Sequence, residues 1–395
     1  MRSIGSKEKV FLLKVMAVVG TRPEATKMAP VVLALRRGGQ VPVQIVLTGQ
    51  HREIAQQGLA AFDLAPDFDL AIMQERQALV ETFCRAMSGL VGLYRQERPD
   101  LVLVQGDTVS CLAAGLAAFY EKIPVGHVEA GLRTGDRDNP FPEEVNRKAV
   151  AAATRLHFAP TQRAERALLQ EGYPPCEVFL TGNTAVDAVQ LLAEREGVPE
   201  AEVEATLKAC ADYKMILVEL HRRENWGQPL HRLCRALRRF VNAEPETFVV
   251  FSVHPNPVVR EVVRQELEGR ERVRLLSPPQ YPSFVRLMKE CYFLLTDSGG
   301  IQEEAPSLRK PVLVARLRTE RPEGIEMGLA RLVGTEEEPV VESLRQLLND
   351  GETYERMARG VNPYGDGRAG ERIAQAIEHY FGLRQEAPER FQAGA

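Results

Sequence analysis

Short apolar runs rich in β-branched residues recur along the chain, separated by longer stretches of helical periodicity. In the first half the runs are Val15–Val19, Val43–Leu47, Leu101–Val104, Ile123–His127, Leu156–Ala159 and Val178–Leu180. A run that is apolar at successive positions predicts a strand buried on both faces, as in a parallel sheet. Between them, Gln77–Arg95 and Gln162–Glu171 read as helices. A second set follows at Met215–Val218, Phe248–Val253, Val273–Leu275, Phe293–Thr296 and Val312–Ala315. Strand–helix alternation of this kind predicts an α/β fold with right-handed crossovers. The strands are too many for one comfortable open sheet. The pattern breaks in the helical, charged stretch Asp187–Asp212. We therefore expect two Rossmann-like, doubly wound domains, 1–185 and 186–367, with 368–395 returning to the first. Within that tail, Ile373, Ala376, Ile377 and Tyr380 keep helical spacing over Arg368–Tyr380. Gln385–Ala395 reads as disordered.

Composition narrows the class. The 395 residues suffice for two cores of ordinary size. A net charge of -4 gives no reason to expect nucleic acid as a partner. No apolar run approaches the roughly 20 residues that span a membrane, and residues 1–11 are too polar for a secretory signal. The six cysteines are scattered, without paired spacing, which fits reduced thiols of a cytoplasmic protein. His51, His127, His157, His231 and His379 show no metal-ligand spacing, so no metal site is expected.

In open α/β sheets, ligands bind beyond the carboxyl ends of the strands. The residues just after each apolar run are therefore the ones to read. They are Gly20-Thr-Arg-Pro-Glu-Ala-Thr-Lys27, Thr48-Gly-Gln-His51, Gln105-Gly-Asp-Thr108, and Glu129 with Gly131 and Arg133. In the second half they are Glu219, His221-Arg-Arg-Glu-Asn225, His254-Pro-Asn256 and Asp297-Ser-Gly-Gly300. Polar residues thus gather at one sheet edge in each half, as expected if the two edges line a single interdomain cleft.

Asp297-Ser298-Gly299-Gly300 precedes a helix over Ile301–Leu308. Such a turn reads either as a diphosphate cradle or as a simple helix cap. Glu304, one turn on, could accept from a ribose diol or face solvent. Gly20-Thr-Arg-Pro-Glu is a strand-to-helix turn with Pro23 suited to the first helical turn. Neither GxGxxG nor GxxxxGK[ST] occurs, so nicotinamide and ATP chemistry are not expected. Arg22 and Lys27 could face an anion, or Lys27 could be a surface lysine. Asp107, Glu129 and Glu143 sit at strand ends or a helix start. Three converging carboxylates suit proton transfer at a weakly acidic carbon, with crowding and burial raising some of their pKa values. The structural alternative pairs Glu129 with Arg133 and leaves Glu143 as a helix-start charge. His221 beside two arginines suits phosphate better than a metal, or belongs to an ion-pair network with Glu224. His254 is either a ligand contact or a satisfied strand-end histidine.

Taken together, GTRPEATK, TGQHRE, QGDT, HVEAGLRTGD, PFPEEVNR, HRRENWG, HPNP, DSGGIQEEAPSL and RTERPE resemble the non-hydrolysing UDP-N-acetylglucosamine 2-epimerases. They span residues 20 to 323 in order. The resemblance implies a glycosyltransferase-B-like fold, no cofactor, a homodimer, and reversible conversion of UDP-GlcNAc to UDP-ManNAc through loss and re-addition of UDP. It implies acid/base roles for Asp107, Glu129 and Glu143. His221, Arg22 and Lys27 would assist departure of the diphosphate. Ser298, Gly299, Gly300 and Glu304 would hold UDP, with Arg321 and His254 nearby. Gln50, His51 and Arg76 resemble the region where bacterial relatives bind a second UDP-GlcNAc as activator, although Glu53 stands where some relatives carry Gln. Glu219 replaces a Thr common two residues before the histidine, and the sequence supplies no reason for it. A glycosyltransferase of the same fold, a hydrolysing epimerase and a sugar-nucleotide sensor are the competing readings.

Overall fold

The computed structural model describes residues 13–393, apart from 40, 50–51, 74–77, 139, 196 and 198. Gln50, His51 and Arg76 lie outside the described residues.

Among the described residues, thirteen strands form two sheets. The first contains β1 (Val15–Val19), β2 (Val43–Leu47), β3 (Phe68–Asp69), β4 (Leu101–Gln105), β5 (Val125–Val128), β6 (Leu156–Ala159) and β7 (Val178–Leu180). Its order is β3-β2-β1-β4-β5-β6-β7, parallel throughout. The second contains β8 (Lys214–Leu220), β9 (Thr247–Val253), β10 (Val273–Leu276), β11 (Phe293–Thr296), β12 (Val312–Val314) and β13 (Ala330–Leu332). Its order is β10-β9-β8-β11-β12-β13, again parallel. The central strands are buried along their length, as their unbroken apolar runs require. The edge strands β3 and β13, two and three residues long and only partly buried, leave no such run to read. β5 starts at Val125 because Pro124 has no N–H to donate, although its carbonyl still accepts from Val102.

Each sheet has its own core. Met16, Val18 and Val104 pack with Leu90 and Tyr94 of the helix Leu79–Glu97. Ile216, Val218 and Phe251 pack with Leu233 and Phe240 of the helix Gln228–Ala243. Complete burial of one such side chain contributes about 1.5–3 kcal/mol.

The chain divides into two compact units. One runs through Thr181 and resumes over Ala369–Arg390; the other is Gly182–Arg368 with the residues from Phe391. The units part between Thr181 and Gly182, a few residues before the expected boundary at 185/186. The cause is the helix Thr184–Ala193, whose buried Val186 and Val189 belong to the second unit, where it packs on the helix Tyr281–Glu290. The helix Ala369–Tyr380 lies on the helix Arg22–Gly38. Gly370 permits the contact, since a methyl there would meet the Pro30 carbonyl oxygen at 2.7 Å. The expected disorder of the tail is corrected for its described part: Arg390 pairs with Glu165 at 2.8 Å, and Phe391 is buried.

In each sheet the strand order reverses beside the first strand, between β1 and β4 and between β8 and β11. Loops leaving the two strands of such a switch point diverge, opening a crevice beyond their carboxyl ends. No described helix is long and apolar enough to cross a membrane.

Candidate active site

At the first switch point, β1 ends in Gly20 and Thr21. Thr21 caps the helix Arg22–Gly38, with Glu24 completing a capping box and Pro23 in the first turn. Gly20 N and Thr21 N donate to Glu24 Oε2 at 2.9 and 2.7 Å, and Thr108 Oγ1 donates to Oε1 at 2.5 Å. These amides are committed inside the loop and are not offered to a phosphate. Burial pushes the Glu24 carboxyl up, beyond what these hydrogen bonds pull it down. Gly20 is required by crowding: a methyl there would lie 2.2 Å from Ser110 Oγ.

Lys27, one turn further along the same helix, is largely buried and is no surface lysine. Its Nζ donates to both Glu129 oxygens, at 2.8 and 2.7 Å. Gln105 Nε2 donates to the same carboxylate. Glu129 is itself buried and has a backbone φ of 66°, the left-handed region that a non-glycine residue enters at a cost. The rim of β5 thus holds one carboxylate in an unfavourable backbone conformation with a lysine gripping it. Arg22 is exposed and makes no ion pair among the described residues.

Asp107 follows β4, next to Glu129's strand, with Gln105 registered on Val128. Arg147 Nη2 lies 2.6 Å from Asp107 Oδ2, and Asn146 Nδ2 donates to the Asp107 carbonyl at 2.8 Å. Both come from the helix Glu143–Ala153. Its first residue, Glu143, is four positions before Arg147 and so on the same face. Glu143 Oε2 is buried and has no hydrogen-bond partner among the described residues. Glu144, which sequence reasoning passed over, is fully buried and ties the preceding loop to the helix through Thr134 N and Arg147. Asp107 and Glu129 each face a cation, Arg147 and Lys27 respectively. Arg133 pairs with Glu171 at 2.8 Å and not with Glu129. Burial, then the charges of Glu24, Asp107 and Glu129, push the Cys111 thiol well up.

At the second switch point, β8 and β11 run side by side with Glu219 registered on Thr296. The hub is Asp297, fully buried, which accepts from His221 N at 3.0 Å, Arg222 N at 3.1 Å and Asn225 Nδ2 at 2.8 Å. Burial nevertheless pushes its carboxyl up. The HRREN segment is thus folded over one acid by its own amides. His221 Nδ1 lies 2.5 Å from Glu219 Oε1, and its ring stacks on His254 at 5.7 Å. Burial would push the His221 imidazole down, but the hydrogen bond and charge of Glu219, with Asp297 adding to them, push it up. The His254 imidazole is pushed down, first by burial and then by His221, and its Nδ1 accepts from Asn256 N at 3.2 Å. Glu219, His221 and Asp297 bring three donor atoms within 4.8 Å of one another, which the histidine spacing did not suggest. The N–H donors on Asp297 make this trio a hydrogen-bonded hub.

Glu224 pairs with Arg316 at 2.6 Å and not with His221. Arg316 also meets Glu320, which Arg222 holds at 2.6 Å. Despite burial, Arg222, Arg321 and Arg316 pull the Glu320 carboxyl down to about 2. Ser298 precedes the short helix Gly299–Glu304, and its side chain makes no capping bond. A methyl at Gly300 would meet Glu304 Oε1 at 3.8 Å and Ser298 Oγ at 3.9 Å, so these two oxygens converge over a glycine backbone. Gly299 is packed against Glu320 and Arg222. Arg321 is held by the buried Glu303.

Two parallel, doubly wound sheets, with acids at one switch point and a histidine–arginine hub at the other, define the glycosyltransferase-B-like class. The family model described as UDP-N-acetylglucosamine 2-epimerase matches residues 33–378. The UDP-N-acetylglucosamine 2-epimerase of Bacillus subtilis is 47% identical over 379 residues, covering 96% of this chain and 98% of its own. The crystal structure of the Neisseria meningitidis UDP-GlcNAc 2-epimerase bound to UDP-GlcNAc is similar at 42% identity and a TM-score of 0.84, covering 92% of this chain and 99% of its own. The S. aureus MnaA–UDP co-structure is similar at 41% identity and a TM-score of 0.87, covering 96% and 100%. The chain belongs to the UDP-N-acetylglucosamine 2-epimerase family.

Proposed function

We propose that the chain interconverts UDP-N-acetylglucosamine and UDP-N-acetylmannosamine by eliminating UDP to 2-acetamidoglucal and adding it back. Two kinds of site support this reading: Asp107, Glu129 and Glu143 around Lys27 and Arg147 in the first unit, and His221 with the Ser298–Glu304 turn in the second. The observation that carries it is the pairing of Asp107 and Glu129 with cations at the end of one sheet and the placing of His221 and the Ser298–Glu304 turn at the end of the other.

In the elimination, the C1–O bond breaks and its electron pair leaves with UDP. The C2 proton passes to a carboxylate, and its bonding electrons form the C1=C2 double bond. Charge on the departing diphosphate is offset by the His221 imidazolium and Lys27, which their carboxylate partners hold in place before the reaction, and by Arg22. Positive charge growing at C1 acidifies the C2 hydrogen, which brings it within reach of a carboxylate base. Re-addition reverses these movements, with the proton delivered to the opposite face. Asp107, Glu129 and Glu143 carry the proton transfers. Ser298 Oγ and Glu304 bind the nucleotide end, and Gly299 and Gly300 let it approach the backbone. Arg321 and His254 act beside them. The chemistry balances without an oxidant or a bound cofactor. The enzyme works in the cytoplasm as a homodimer, which light scattering would report as twice the 44.0 kDa chain mass.

Product analysis tests the reading. Purified protein given UDP-GlcNAc alone should yield UDP-ManNAc until equilibrium. Free ManNAc with UDP would replace this reaction by the hydrolysing one, and an unchanged substrate pool would refute it.

A further inference from the structure

Glu219 does not belong to the sugar or diphosphate contacts named above, yet it is placed with care. It is the penultimate residue of β8, two positions before His221. In an extended chain, positions two apart project to the same side. Its Oε1 lies 2.5 Å from His221 Nδ1, and its Oε2 accepts from Thr296 Oγ1 of the neighbouring strand at 3.4 Å. The carboxylate is therefore held from a second strand while it holds the histidine. An ionised carboxylate can only accept, so Nδ1 carries a proton and Nε2 is the nitrogen left to face a ligand.

The charged groups around the ring are few. Glu219 and Asp297 are acidic, with Asp297 Oδ1 3.7 Å from Nδ1. Arg222 is the opposing cation. His254 stacks on the open face, and its Nδ1 accepts a backbone N–H, as a neutral imidazole does. The stacked pair is thus divided, one ring held by acids and the other kept neutral.

We infer that Glu219 is the positioning residue for His221, fixing Nδ1–H and keeping the ring an imidazolium with Nε2 aimed at the leaving diphosphate. This rests on the proposed function for the role of His221. The dyad itself rests on geometry alone. A neutral histidine in the same place would offer one hydrogen bond without charge. The charged ring offers a charge-assisted one, about twice as strong.

The test combines nitrogen NMR titration of His221 in the full chain with pH profiles of kcat/KM for UDP-GlcNAc. Three variants are compared with wild type. Glu219→Gln keeps an acceptor but loses the charge, Glu219→Leu loses both, and Glu219→Asp keeps the charge. In Glu219→Gln the His221 midpoint should move to lower pH, and the alkaline limb of kcat/KM should move with it. At the alkaline end the loss should be on the order of tenfold or more, as for other removed histidine-orienting acids. Glu219→Leu should in addition change the tautomer distribution, and Glu219→Asp should restore most of both signals. An unchanged His221 midpoint in Glu219→Gln overturns the dyad whatever the activity does. A shifted midpoint with an unmoved alkaline limb also overturns the proposal, because the dyad would then not set the charge the reaction uses. Absence of epimerisation by wild type refutes the functional reading instead, and the titration still decides whether Glu219 holds the ring charged.

Discussion

Asp107 shows what one residue at a switch point has to do. It ends a buried strand, its carboxylate meets Arg147 at 2.6 Å, and its carbonyl is held by Asn146. The backbone is fixed by one neighbour and the charge by another, which leaves the carboxylate oriented. Asp107→Asn removes the charge and keeps the shape. Turnover should fall by roughly 10²–10⁴, the usual worth of a placed acid or base, while calorimetric UDP affinity stays close to wild type. Retained turnover would remove Asp107 from the proton path. At the second switch point the expectation is the reverse. Ser298→Ala combined with Glu304→Ala should weaken UDP binding by about tenfold, or roughly 1.4 kcal/mol. Unchanged affinity would contradict the convergence of those oxygens on the ligand. The residue scale is also where the sequence was least legible. Motif position singled out Glu129, but nothing local announced its positive φ or its grip on Lys27, two contacts made across 102 positions of chain. Glu219 was singled out by its place two residues before His221, but the reason for it, a hydrogen bond to that ring, emerges only in the structure.

Elements explain why those residues can be placed at all. The apolar runs made the central strands readable, because a strand buried on both faces must be apolar at every position. Short edge strands were not readable, and the division was read a few residues late, since edge pairing and the side a helix packs on are decided by partners distant in sequence. The glycine ending β1 is a case of the same kind. Gly20 follows β1 and is packed against Ser110, a partner distant in sequence. Gly20→Ala should cost about 1–3 kcal/mol of stability through overpacking, measured as a lowered denaturant midpoint. Ser110→Gly in the same chain should recover part of that loss, and no recovery would mean the clash lies elsewhere. Two strands further on, β5 and β6 carry His127 registered on His157, both fully buried. Burial first, then their neighbours, push them down to about 4 and about 3. Both folded values lie below the unfolded 6.5, so below that pH the unfolded chain binds more protons. Stability from this pair is complete above pH about 6.5 and is lost as pH falls toward about 4 and then about 3. Neither His157 nitrogen has a hydrogen-bond partner among the described residues, and the ring rests against Tyr173. His157→Phe should therefore flatten the acid limb of a stability–pH curve. An unaltered limb would show that other groups set it.

At the scale of the molecule, two sheets of one topology end in different groups, paired acids on one and the Asp297 hub with His221 on the other. Neither switch point alone performs an epimerisation. A nucleotide site without acids would bind and release, and acids without a leaving-group site would have nothing to deprotonate. The sequence pointed to both, because polar residues cluster after the strands on either side of each reversal. It could not tell an enzyme that returns the sugar to UDP from one that lets it go, a difference that depends on whether water reaches the intermediate. Proton NMR of the purified protein with UDP-GlcNAc in D2O, without any added cofactor, separates these directly. UDP-ManNAc should appear carrying deuterium at C2, as elimination and re-addition require. UDP-ManNAc that retains its C2 proton throughout, or free ManNAc as the first product, would contradict the account.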